Sequence, residues 1–167
     1  MAYQNILVEK QANLGKLTIN RPPVNVMDID TILEMNVALE ELDRDAEVKA
    51  VLITGAGNRA FSAGVEIRDH LGKRAFAMVE VLDRLFHILL DMSKPTIAVV
   101  NGVALGGGCE VVTACDLAIA SDKAQFGQPE IKLAVPPPVA IALLPRVVGM
   151  KRAMELIFSG DSIGAHE

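Results

Sequence analysis

The chain has 167 residues, 51% of them apolar and 22% charged, with a formal net charge of −5. That length supports one domain with a substantial core, and the composition is globular, not disordered. Lys and Arg are scattered, there is one Tyr and no Trp, and this excludes a basic, aromatic-studded nucleic-acid surface.

The opening MAYQNILVEK lacks a signal-type apolar run and reads as the start of a cytosolic protein. Two short strands follow, NILVEKQ and GKLTINR, joined by a hairpin turn at Ala12-Asn13-Leu14-Gly15. RPPVN is a proline-stiffened exit into a helix over residues 28–44, with Asp28 as N-cap and Ile29, Ile32, Leu33 and Val37 along one side. KAVLITG is a continuous apolar run closed by Gly, the pattern of a strand buried on both faces. A second helix is predicted over residues 75–92, with Val79, Leu82, Phe86 and Leu89 at helical spacing. PTIAVVNG is another buried strand and leads into Gly106-Gly107-Gly108-Cys109-Glu110, which opens a third helix. Then come DLAIAS and AQFGQPEI, a proline-rich segment, and a helix over residues 151–158. Alternating apolar strands and helices argue for an α/β fold around a parallel sheet. The charge-free residues 133–145 are too few and too proline-rich to span a bilayer. The closing SIGAHE reads as the start of another helix, and a stop there suggests a truncated chain.

Cys109 and Cys115 lie six apart with no CxxC and no nearby His, which favours core thiols over a metal site or a disulfide. His70, His87 and His166 have no ligand spacing either, and each alone reads as a helix or tail residue.

The glycine run poses the main question. Bare backbone admits close approach of a ligand, and amides at a helix start favour negative charge. A flexible loop with an acid complementing the helix dipole at Glu110 would read the same way. AFSAGVEIR, after VLITGAGNR, is a second glycine-containing loop beyond a buried strand. In α/β sheets ligands sit beyond the carboxyl ends of strands, so two such loops could aim two N–H groups at one carbonyl oxygen. Neither loop matches a P-loop or a complete GxGxxG, and GxSxG is missing. Glu110 and Glu130 are then the candidates for proton transfer; by pattern alone Glu130 is equally a turn residue after Pro129.

AFSAGVEIRD, KPTIAVVNGVALGGGCEVVTACDLAIAS and AQFGQPEIKL resemble the crotonase (enoyl-CoA hydratase/isomerase) superfamily, and NRPPVN matches its N-terminal block. The resemblance implies a ClpP/crotonase-like spiral of ββα units, assembly as a homotrimer or dimer of trimers, and an acyl-CoA thioester as substrate. It also implies an oxyanion hole from the amides of Val65 and Gly107, with Glu110 and Glu130 as catalytic acids. Val24, Val26, Ser62, Ala63, Gly64, Glu66, Ile67, Arg68 and Gly106 would contact the substrate or its CoA portion. No metal, redox cofactor, nucleic acid or membrane is expected. Retention of both glutamates favours hydration of a 2-enoyl-CoA over double-bond isomerisation. Two departures bear on specificity: AVPPPVAIALLP replaces the usual glycine-rich stretch after the second Glu, and Arg68 stands where Lys is common. The proline segment resembles that of hydratases of cyclic dienoyl-CoA esters. The family's C-terminal helical block is missing, which keeps a non-catalytic subunit in play.

Overall fold

A computed structural model describes residues 3–167. Strands β1 (Ile6–Gln11) and β2 (Leu14–Ile19) form the expected hairpin, paired from Ile6–Ile19 to Gln11–Leu14. The turn is tighter than expected: Leu14 and Gly15 already belong to β2. Helix α1 (Ile29–Arg44) starts at Asp28, whose Oδ1 accepts from the Thr31 amide at 2.9 Å. Its buried Ile32, Met35, Leu39 and Leu42 recur at helical spacing and face the sheet. Strands β3 (Ala50–Gly55), β5 (Thr96–Val100) and β7 (Leu117–Ala120) complete a five-stranded sheet in the order β1-β2-β3-β5-β7, parallel from β2 onward. Helix α2 (Lys73–Asp91) adds Leu85, Phe86 and Leu89 to the core formed with α1 and this sheet. It begins two residues before the predicted start.

A second sheet was not foreseen. Strands β4 (Ala60–Ser62), β6 (Val103–Leu105), β8 (Gln125–Gly127) and β9 (Ser162–Gly164) lie side by side in that order. All four have only three residues, too few for a period-two pattern to register. The chain therefore repeats one path: a strand of the large sheet, a short strand of the small sheet, then helical backbone. β3-β4 leads to α2, β5-β6 leads to α3 (Gly107–Ala114), and β7-β8 leads to a 3-10 turn at Pro129–Leu133 and then α4 (Pro138–Val148). This is the expected spiral of ββα units.

Two expectations fail. The proline-rich segment contains α4, which Pro138 opens at N1, where a missing N–H costs nothing. SIGAHE does not start a helix; Ser162–Gly164 pairs antiparallel with β8, and that pairing outweighs the weak capping pattern. The intervening α5 (Met150–Ser159) packs Ala153 and Leu156 against Ala140 and Leu144 of α4. Among the described residues, no helix is long and apolar enough to cross a membrane.

Candidate active site

The site forms where the small sheet ends. β4, β6 and β8 are mutually parallel neighbours, so their carboxyl ends emerge together on one side. β4 delivers Ala63-Gly64-Val65, β6 delivers the glycine run and α3, and β8 delivers Glu130. The registers Ser62–Ala104 and Leu105–Gly127 align the three exits, and the Gly106 amide donates to the Gly127 carbonyl at 3.0 Å.

Each glycine of the run has its own steric reason. Gly106 has φ +53°, and a Cβ there would stand 2.6 Å from Glu130 Oε1. At Gly107 a Cβ would meet Val65 Cγ2 at 2.7 Å, and at Gly108 it would meet the Ser62 carbonyl oxygen at 2.4 Å. The α3 N-terminus is thus pressed against the β4 exit on one side and against Glu130 on the other. Among the described residues, neither the Val65 nor the Gly107 amide donates to a protein acceptor. Both residues line the same cavity, of about 740 Å³. Two unspent amides at a helix start, facing one space, are equipped to hold a developing oxyanion.

Glu110 lies in the first turn of α3 and is 3% exposed. Its Oε1 accepts from the Ala140 amide at 2.9 Å. Pro137 and Pro138 have no N–H, so Val139 and Ala140 carry the first amides of α4, and the Glu110 carboxylate sits against them. The carboxylate therefore complements the N-terminus of α4 as well as its own helix. Burial pushes its pKa up to about 7, against the pull of the Ala140 amide and with the neighbouring Glu130 adding to the rise. Burial also raises Glu130, with His70 acting in the opposite direction. Glu130 Oε2 is buried with no partner among the described residues, the condition of an acceptor kept for something else.

The rest of the cavity wall is mainly apolar, with Met78, Leu82 and Phe86 of α2 on one side and Pro136 to Val139 with Leu143 on the other; His70, Asp83 and His87 add polar groups to it. Ala63, Gly64, Ile67 and Gly106 also line it. Ser62 is fully buried, its Oγ accepting from the Gly64 amide at 3.1 Å, which fixes the loop that presents Val65. Val24 supports the same loop through a carbonyl that accepts from Ala63, while the Val26 carbonyl accepts from Arg21. Glu66 accepts from the Arg68 amide at the start of a 3-10 turn, Ile67–His70, and the Arg68 side chain is exposed. These five residues stand outside the cavity lining. His70, which sequence reading set aside, is inside it; a lone histidine carries no local signal that it will face a site built by three distant strands.

A raised acid makes stability depend on pH with a definite sign. The folded state holds the Glu110 proton up to about 7, the unfolded chain only to 4.5. The folded state binds more protons between those values, so stability falls as pH rises through the interval, by roughly 3 kcal/mol from this residue. Glu130 adds in the same sense. Urea midpoints measured across that range should decline, and Glu110→Gln should flatten the decline.

A ββα spiral with two unspent amides and two acids facing one cavity is the arrangement that the crotonase resemblance implies. Comparison with known proteins agrees. The family model for enoyl-CoA hydratase/isomerase matches residues 9–167. A short-chain-enoyl-CoA hydratase of Clostridium acetobutylicum and a crotonyl-CoA hydratase of Syntrophomonas wolfei are each 41% identical over all of this chain. The chain spans 66% of the length of those relatives. The crystal structure of enoyl-CoA hydratase from Bacillus anthracis superposes with a TM-score of 0.93 at 32% identity, covering 98% of this chain and 66% of that one. Pseudomonas aeruginosa DspI gives 0.93 at 33% identity, covering 97% and 63%. The chain belongs to the enoyl-CoA hydratase/isomerase family, within the crotonase superfamily.

Proposed function

We propose that this site adds water across the double bond of a 2-enoyl-CoA thioester. The observation that carries the reading is the pair of acids, buried Glu110 and half-buried Glu130 with its unpartnered Oε2, beside two unspent amides on one cavity. The thioester oxygen accepts from Val65 and Gly107 N–H, which stabilise the enolate as it develops. The two carboxyl groups hold one water between them. One takes its proton as the oxygen attacks the β-carbon, and the other returns a proton to the α-carbon. The step breaks the C=C π bond and one O–H bond of water and forms one C–O and one C–H bond with no change of electron count, and carboxylates and amides suffice for it. CoA enters as part of the substrate, with exposed Arg68 on the 3-10 turn as the cation for its phosphates. The names of the relatives support the same substrate class.

A second reading concerns the acyl group. Pro136, Pro137 and Pro138 form one wall of the cavity. A wall with fixed φ adapts poorly to a flexible chain and suits a rigid ring, which favours a cyclic dienoyl-CoA. The test is a panel of purified thioesters. A higher kcat/KM for cyclic dienoyl-CoA than for crotonyl-CoA supports the ring reading, and the reverse order supports a short straight chain. Shift of the double bond without hydration would make the protein an isomerase, and no turnover would make it a non-catalytic member of the fold.

A homotrimer or dimer of trimers goes with this reading, supported by the exposed apolar side chains Leu117 and Ile119 of β7 and Ile141 and Val147 of α4. So does a cytosolic setting, supported by two unpaired cysteines, Cys109 and Cys115.

A further inference from the structure

The Val65 amide is unspent because of what its neighbours do. Met27 forms an isolated parallel bridge with Val65. The Met27 amide donates to the Gly64 carbonyl at 2.9 Å, and the Met27 carbonyl accepts from the Glu66 amide at 2.9 Å. Bonds of a parallel bridge fall on either side of the central residue, so the N–H of Val65 itself points away from Met27. Val24 extends the contact, its carbonyl accepting from the Ala63 amide at 2.9 Å. The segment 24–27 therefore straps the β4 exit from outside and leaves the Val65 N–H for the cavity that Val65 lines. A Cβ built on Gly107 would lie 3.6 Å from the Val65 nitrogen, so the two donors stand close together.

Asn25 is the bend of that strap. It is 1% exposed and has φ +55°. Its Oδ1 accepts from the Arg21 amide at 3.1 Å. Its Nδ2 spends both hydrogens, donating to the carbonyls of Ala56 at 3.0 Å and Ala60 at 2.8 Å. Ala60 is the first residue of β4. The strap is thus tied to the start of β4 by Asn25 and to its exit by Val24 and Met27.

We propose that Asn25 is a positioning residue for the Val65 amide: its side chain fixes the strap that aims this N–H, beside that of Gly107, at the thioester oxygen. This rests on the oxyanion reading above, and Asn25 itself stands outside the cavity lining. Other side chains nearby hold other parts. Ser62 holds the Gly64 amide from within β4, and Arg21 holds the Val26 carbonyl from within the hairpin exit. Asn101 reaches the Ala60 carbonyl only at 3.4 Å and does not touch the strap. Asn25 alone among them joins the strap to β4. Precise placement matters because an oxyanion donor works only within hydrogen-bond reach of the charge it meets.

The test compares wild type with Asn25→Gly and Asn25→Asp. Glycine accepts the positive φ and removes all three side-chain bonds; aspartate keeps the acceptor for Arg21 and loses both donors. The probe is butyryl-CoA labelled at its carbonyl carbon, a saturated thioester with no double bond to hydrate, read by difference infrared spectroscopy. Its carbonyl band should move to lower frequency on binding wild type. That displacement should shrink to about half in each variant that folds, one donor of two being misplaced. It is a property of each bound ligand, so a partly unfolded sample leaves it unchanged. Hydration of crotonyl-CoA should lose about 10- to 100-fold in kcat, with KM little changed. Wild-type displacement and kcat in either folded variant would overturn the proposal. A band that does not move in wild type would instead remove the oxyanion reading, and the task of Asn25 with it.

Discussion

Exchanging Glu110 for Gln is expected to lower the hydration rate by about 100- to 10,000-fold, the usual loss when a general acid–base group is removed. Gln is the informative replacement because its carbonyl oxygen can still accept from the Ala140 amide, the 2.9 Å contact that ties α3 to α4. The loss then reports proton transfer and not a loosened helix start. Glu130→Gln should fall in the same range, and the double variant should be little worse than the more damaged single one, because in the proposed reaction the two carboxyls serve one water. Rapid-quench or absorbance assays on the single and double variants check this. Multiplicative losses would mean independent roles, and near-normal hydration by Glu130→Gln would remove that residue from the mechanism.

The second large effect is expected at Gly107. It is the first residue of α3, a position where the fixed φ of proline fits the helix, so Gly107→Pro deletes the N–H and adds a Cβ beside Val65. Gly107→Ala keeps that N–H but places a Cβ 2.7 Å from Val65 Cγ2. The difference between the two variants therefore isolates the donor from the crowding. Loss of one oxyanion donor costs about 100- to 1,000-fold in kcat, and Gly107→Pro should fall below Gly107→Ala by that factor. Equal activity in the two variants would show that the amide does not carry charge in the reaction.

The parts of the molecule that announced themselves in the sequence did so through local chemistry. Asp28 was readable as a cap because a carboxylate before an apolar periodic run has few other uses. The strands of the large sheet were readable as long apolar runs, and the glycine run because three missing side chains demand a steric cause. The structure supplies that cause in the Ser62 carbonyl, the Val65 side chain and the Glu130 carboxylate. What stayed hidden depends on partners distant in sequence. Three-residue strands exist only because β4, β6 and β8 pair with one another. Helix α4 is masked by prolines that usually signal loops, although Pro138 at N1 starts it. β9 is defined by its pairing to β8. His70 acquires meaning only when the β4 exit brings it into the lining of the cavity. Glu110 was readable as an acid at a helix start, but not as the group that also satisfies the first amides of α4.

The central claim is that water is added across the double bond by Glu110 and Glu130 acting together at the Val65–Gly107 amides. Its most direct measurement is turnover of crotonyl-CoA and a cyclic dienoyl-CoA in doubly labelled water, with product analysis by mass spectrometry. The account predicts heavy oxygen on the β-carbon and deuterium on the α-carbon of at least one product, with both labels lost together in Glu110→Gln. Product carrying α-carbon deuterium without heavy oxygen, or full double labelling by the Glu110→Gln, Glu130→Gln variant, would contradict it.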